Sequence, residues 1–339
     1  MADIRVFFVT NRNHQPENKK ALFGPRFNAD GVAALRFGRA QFSGAKDPSL
    51  KSVFVYPETK GVDDFTKIGS AAFFSDLREA MKGERTDTLV FIHGFNVDFE
   101  SALKAGAKLA GQVRVEDRAL NLVIFTWPSD GNAVPLMSYY SDREDARASG
   151  PALARAYLKL RDYVAELSAE DQCDRRLHLV AHSMGNYVLR HGLQALIAKE
   201  PDGLVRLFDQ IVMAAPDEDD DAFESDKKLK CLPRIARRVT VYFNPNDRAL
   251  VISDKTKANP DRLGSDGPRL IDLIPKKVVL VDCRNIAAAS DRFVQHSYYV
   301  GSPAVSADLG AVLAGMEAEV IVNREFVAPQ RAYRIRLGP

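Results

Sequence analysis

The stretch Leu177–Leu189, LHLVAHSMGNYVL, decides how the rest of the chain is read. Leu177–Ala181 is a short apolar run, as a buried strand requires. Tyr187, Val188, Leu193 and Leu196 then follow at helical spacing. Ser183 stands at the join, inside Ala181-x-Ser183-x-Gly185. A serine between a strand and a helix sits in a tight, strained bend that lifts its hydroxyl clear of the sheet. The residues two before and two after it must be small, or they would strike the neighbouring strand or helix. The helix starting there also aims its N-terminal N–H groups at the serine. The pattern marks Ser183 as a nucleophile. LGSDG around Ser265 is a near miss, because Leu263 fills the first small position and the segment reads as loop.

On both sides of this stretch, short apolar runs alternate with helix-spaced segments. Thr88–His93, Asn121–Trp127, Gln210–Ala214, Val239–Phe243 and Lys277–Val281 read as strands. Asp98–Val113 and Pro151–Leu167 read as helices, with apolar residues every three or four positions. Strands apolar on both faces, alternating with helices, predict an α/β fold with a mostly parallel central sheet and helices on both faces. Within residues 1–85, Arg5–Thr10, Ala33–Phe42 and Ser52–Tyr56 read as extra N-terminal strands on the sheet's edge, with a helix near Phe73–Met81. The polar segments 128–150 and 253–270 read as loops. The division expected is one domain over 1–339. Its parts are a strand-rich extension (1–85), a catalytic core (86–300) and a C-terminal extension (301–339).

The 47 Lys and Arg residues nearly cancel the 45 Asp and Glu, which argues against a nucleic-acid partner. No apolar run approaches the roughly 18 residues of a membrane helix, and the start lacks the features of a secretory signal. Three scattered cysteines suggest a reducing compartment, so a cytoplasmic location is expected. Oligomeric state is not legible. The basic stretch Lys227–Arg238 lacks interleaved aromatics and reads as a solvated helix surface. Trp127 and Cys283 read as core residues, and Asp217–Asp221 offers no calcium-loop spacing.

A serine nucleophile needs a base, usually histidine held by a carboxylate, and in chains built on this elbow the order is Ser, acid, His. Of six histidines, only His296 follows residue 191. His182 flanks the nucleophile, with its side chain expected to point away from the elbow. Two acids stand just past strand ends: Asp247, favoured because it lies on the later strand, and Asp217 as the alternative. The backbone N–H of Met184 supplies one oxyanion donor. The loop His93-Gly94-Phe95-Asn96 supplies the other, from Phe95, with Gly94 allowing the sharp turn. In Val134–Tyr140, Met137, Tyr139 and Tyr140 either wall an acyl pocket as a lid or pack the loop onto the domain.

FIHGFN (91–96), VAHSMGN (180–186), NPNDRAL (244–250) and His296 together resemble the α/β-hydrolase superfamily. FTWPSDG (125–131), AAPDEDDDAF (214–223) and DRLG (261–264) are similar to a bacterial branch of uncharacterised α/β hydrolases. A weaker likeness lies in VFFVTNRN. The resemblance implies a serine esterase or lipase with no cofactor and no metal, acting on a small-molecule acyl ester. Ser183 would attack, His296 would take the proton, Asp247 would orient the imidazole, and Gly94 and Asn96 would line the substrate site. Ala181 replaces the commonest glycine but is still small. Acyl transfer or amide or thioester cleavage would use the same residues, and an inactive hydrolase-fold binding protein is the alternative of another class.

Overall fold

The computed structural model describes residues 3–17, 22–44, 47–57, 69–129, 135–168, 170–250, 261–286 and 294–336, without the side chains of 3 and 135–137. In chain order the strands are β1 (Asp3–Thr10), β2 (Arg12–His14), β3 (Phe23–Phe27), β4 (Arg36–Ser43), β5 (Ser49–Val55), β6 (Thr88–Ile92), β7 (Asn121–Thr126), β8 (Leu177–His182), β9 (Phe208–Ala214), β10 (Ala236–Phe243), β11 (Val278–Asp282), β12 (Arg324–Val327) and β13 (Ala332–Ile335). The longer helices are α1 (Gly69–Glu84), α2 (Phe99–Gln112), α3 (Pro135–Ala148), α4 (Gly150–Glu166), α5 (Gly185–Lys199) and α6 (Pro303–Leu313).

Eleven strands form one sheet in the order β12-β13-β11-β10-β9-β8-β6-β7-β1-β4-β5. Every neighbouring pair from β13 to β1 is parallel. The β1–β4, β4–β5 and β12–β13 pairs are antiparallel. β7 is buried at all six positions, as expected of a parallel strand covered on both faces. One core joins the sheet to α1, α4 and α5, through residues such as Phe73, Leu77, Leu158 and Leu193. The other joins it to α2 and α6, through Leu103, Leu109, Leu309 and Val312. α2 approaches closely enough that a Cβ at Gly106 would fall 2.1 Å from Cδ1 of Ile124 on β7. The Arg324 guanidinium grips the Asp308 carboxylate with two bonds of 2.7 Å, holding α6 to the C-terminal strands.

From β6 the chain runs through α2 out to β7. It then returns across the opposite face through α4 to β8, on the other side of β6. Such a reversal opens a crevice at the carboxyl ends of the strands. Register lines these ends up. Ile92 pairs with Phe125 and Ala181, His182 with Ala214, Ala214 with Tyr242, and Phe243 with Asp282.

Three expectations change. Segment 128–150 is not a loop throughout, because 135–148 is α3. Its buried positions Ser138, Asp142 and Ala146 carry small or polar side chains, so no apolar period announced a helix. In 253–270, residues 253–260 lie outside those described, and Leu263–Asp266 is a helical turn that contains Ser265. Lys227–Arg238 is not a helix surface; it forms turns and then enters β10, with Lys228 bridging Asp219 and Asp221. Trp127 and Cys283 are both fully buried.

Candidate active site

Ser183 follows β8 directly and has a left-handed backbone, φ +52°. Residues other than glycine adopt this conformation at a cost, and only where their surroundings enforce it. The surroundings here are hydrogen bonds on both sides of the serine. Its N–H donates to Ala214 O at 3.0 Å, and its carbonyl accepts from Asn186 N at 3.0 Å and Asp217 N at 3.2 Å. The Asn186 side chain ties the bend from inside, donating to Ala181 O and Ser183 O. Gly185 is required by contact: a Cβ there would lie 2.5 Å from Ile92 O and 2.7 Å from His93 O. A Cβ on Gly94 would lie 3.1 Å from Ser183 Cβ, so the loop after β6 passes against the elbow.

His296 reaches the same sheet edge from the segment after β11. Its Nδ1 lies 2.7 Å from Oδ2 of Asp247, which is fully buried. An ionised carboxylate only accepts, so this bond keeps the proton on Nδ1 and leaves a lone pair on Nε2. The other oxygen of Asp247 accepts from the N–H groups of Ala249 and Leu250. The two loops are sewn together by Arg248 N to Val294 O at 2.8 Å. Tyr298, fully buried, donates to Tyr242 O at 2.9 Å and fixes the far side of the histidine. The His182 ring packs on the candidate base. Its ring centroid lies 4.7 Å from that of His296 and 4.3 Å from that of Tyr299. Burial, and then the nearby His296, push its pKa well below the ordinary histidine value, so it packs as a neutral ring.

The loop Gly94–Asn96 is held from two sides. Asn96, itself at φ +58°, donates its N–H to Asp142 Oδ2 of α3 at 2.8 Å, and Ser129 Oγ donates to the same oxygen at 2.5 Å. Arg12, fully buried, donates to Val97 O at 2.7 Å, Ser129 O at 3.2 Å and Thr126 Oγ1 at 2.9 Å. Among the described residues, the N–H groups of Phe95 and Met184 have no intramolecular acceptor. His93 receives the Trp127 N–H on Nε2, so its own proton sits on Nδ1, which donates to Gly94 O at 2.8 Å. Burial and the Arg12 charge lower its pKa to about 3.

Tyr139 packs edge-on against Phe95, with centroids 5.9 Å apart, and donates its hydroxyl to Asp217 Oδ2 at 2.6 Å. Tyr140 is half exposed beside it, and the Met137 side chain lies outside those described. Asp217 therefore meets α3. It opens a buried charge cluster in which Glu218 faces Arg190 at 3.2 Å and Asp219 faces Arg262 at 2.6 Å. Burial outweighs Arg190 and raises Glu218 to about 7. Burial also opposes ionisation of Asp219, but Lys228, Arg262 and Arg190 together hold it down to about 2. Sequence reasoning assigned no role to Arg12, Asp142 or Asn186. Only Arg12, in VFFVTNRN, and Asn186, in VAHSMGN, lay in stretches already singled out. Among the described residues, no group of three His, Cys, Asp or Glu side chains is placed to hold a metal ion.

The family described as "Alpha/beta hydrolase of unknown function (DUF900)" matches residues 70–314, more than two thirds of the chain. The chain belongs to this family. The chain is 25% identical over 265 residues to the uncharacterized protein alr1448 of Nostoc sp., covering 68% of this chain but only 62% of that relative. Among solved structures it is similar to ESTFA in an iron-lacking apo form, at 11% identity and TM-score 0.34, over 85% of this chain and 81% of that one. It is also similar to the peroxisomal alpha-beta-hydrolase Lpx1 of Saccharomyces cerevisiae, at 11% identity and TM-score 0.30, over 97% and 94% of the two chains. Among the described residues, no helix is long and apolar enough to cross a membrane.

Proposed function

We propose that this hydrolase cleaves carboxylic esters through Ser183, His296 and Asp247. The observation that carries the reading is the 2.7 Å bond from His296 Nδ1 to buried Asp247, formed at the sheet edge that also bears the strained elbow of Ser183. Ser183 Oγ attacks the ester carbonyl while Nε2 of His296 takes its proton. Asp247 stabilises the imidazolium. The carbonyl oxygen becomes an oxyanion and accepts from the Phe95 and Met184 N–H groups, which are not spent inside the protein. The imidazolium then returns its proton to the departing alkoxide, leaving an acyl-serine. Water attacks that carbonyl and gives a proton to His296, which passes it to Ser183 Oγ as the adduct collapses to the free acid. Gly94 lets the donor loop approach the serine. Asn96, its N–H engaged by Asp142, sets the loop's conformation, and Tyr139 and Tyr140 form the wall offered to substrate. Asp217 is the weaker candidate for the acid because it receives the Tyr139 hydroxyl.

Ser183→Ala should lower turnover of a p-nitrophenyl ester by roughly a thousandfold or more without unfolding the protein, and should end labelling by a fluorophosphonate. Asp247→Asn should cost far more activity than Asp217→Asn. Normal turnover in Ser183→Ala, or the reverse order of the two acids, would overturn the assignment.

A further inference from the structure

At the opposite end of the sheet, where β8 and β9 begin, lies a groove of about 470 Å³ that the proposed chemistry does not use. That volume falls within the range of small-molecule sites. Its floor is apolar and comes from α1, α4 and the strand starts, including Leu77, Met81, Leu160, Tyr163, Leu167 and Phe208. Its rim carries five arginines (Arg78, Arg175, Arg176, Arg206 and Arg237) against two acids, Asp174 and Asp209, with Asp171 on Arg78 just outside, an excess of two positive charges. Arg78 and Arg237 are engaged by carboxylates. Arg175 and Arg206 make no ion pair among the described residues; Arg175 reaches only the carbonyls of Cys173 and Arg85. Behind the floor is a second, almost wholly apolar cavity of about 90 Å³ inside the core. The two share Phe74, Leu77, Leu160, Leu177 and Phe208 as walls.

An apolar trough backed by an apolar void and rimmed by unpaired guanidinium groups matches a molecule with a hydrocarbon tail and an anionic head. We infer that this groove binds a medium-chain fatty acid of about twelve carbons, with its carboxylate at Arg175 and Arg206 and its chain along Leu77 and Leu160 toward the inner cavity. Guanidinium groups suit a carboxylate because their forked N–H groups match its two oxygens. The ligand would not be placed for reaction, since Ser183 lies at the other end of the strands. The inference therefore stands whatever chemistry Ser183 performs.

The test uses the full chain carrying Ser183→Ala, so that no acyl group is processed. Dodecanoate should bind saturably in calorimetry, and decanoate about tenfold more weakly, from two fewer buried methylenes. Dodecanol, with the same tail and no charge, should bind at least tenfold more weakly than dodecanoate. A diazirine-bearing dodecanoate should cross-link to 74–81, 160–167 or 206–208. Arg175→Glu with Arg206→Glu should abolish binding; in the chain that retains Ser183, the same pair should leave ester turnover unchanged, which checks folding. Cross-links confined to the Ser183 edge, equal affinity for dodecanol, unaltered binding in the double variant, or no saturable binding would each overturn the inference.

Discussion

Two buried histidines, His93 and His182, and the partly buried His191 are held neutral, and this sets how the protein meets acid. Burial lowers His93 to about 3 and His191 to about 4, with Arg12 and Arg190 adding to the respective effects, and it lowers His182 well below the ordinary histidine value. An unfolded histidine titrates near 6.5. Between about pH 6.5 and 4 the unfolded chain therefore takes up three protons that the folded chain refuses, and stability falls as pH falls. Glu218 works the other way. Raised to about 7, it keeps a proton in the fold that the unfolded carboxyl loses above about 4.5, so its contribution declines as pH rises. The histidines outnumber Glu218, so the net effect is a loss of stability as pH falls from about 6.5 toward 4.5. Urea midpoints should fall steeply from pH 6.5 to 5, and more steeply in Glu218→Gln. A flat profile would contradict neutral histidines. His182 also shows a limit of sequence reasoning. Its place beside Ser183 was plain, but its packing on His296 depends on a loop 114 residues away.

At the scale of elements, the parts that were legible are those whose physics is local. β6, β7, β8 and the Val239–Phe243 part of β10 are mostly apolar and buried on both faces, and the elbow spacing follows from the contacts that Gly185 makes with the carbonyls of Ile92 and His93. α3 was missed for an equally physical reason. Its inward stripe is Ser138, Asp142, Ala146 and, just past its end, Ser149, a helical repeat written in polar and small residues. Its role is electrostatic: Asp142 gathers Asn96 N–H and Ser129 Oγ and so fixes the loop that presents Phe95. Asp142→Ala should leave both donors without that acceptor. It should cost about 1–3 kcal/mol of stability and, by loosening the donor loop, lower kcat/KM for the ester ten- to hundredfold, with fluorophosphonate labelling slowed in step. Stability lost with full catalytic efficiency would mean that the loop keeps its shape without α3.

Over the whole molecule, the sheet is wider than the segment that carries the family likeness. Residues 70–314 contain β6 to β11, whereas β1, β4, β5, β12 and β13 lie outside it. Cutting the chain at those limits bares β7 on one side and β11 on the other, both apolar strands with free hydrogen-bonding edges. It also removes Arg12 from the donor loop. Such a fragment should aggregate on size-exclusion chromatography under conditions where the full chain does not. A soluble fragment with a cooperative melt would show that the outer strands are dispensable. The positions of the outer strands were legible as apolar runs near the start; the four-residue β12 and β13 were too short to announce themselves.

Thr10 donates its hydroxyl to Thr126 O, and the two stand side by side across 116 residues of chain. During synthesis β1 leaves the ribosome long before β7 can join it. Its antiparallel partner β4, and β5 paired in turn to β4, follow close behind, and three strands with an apolar face can persist on their own. The three-strand edge is therefore expected to form first and to offer β1 as the template for β7. Pulse-labelled hydrogen exchange during refolding should protect Val6–Val9 before Val123–Thr126.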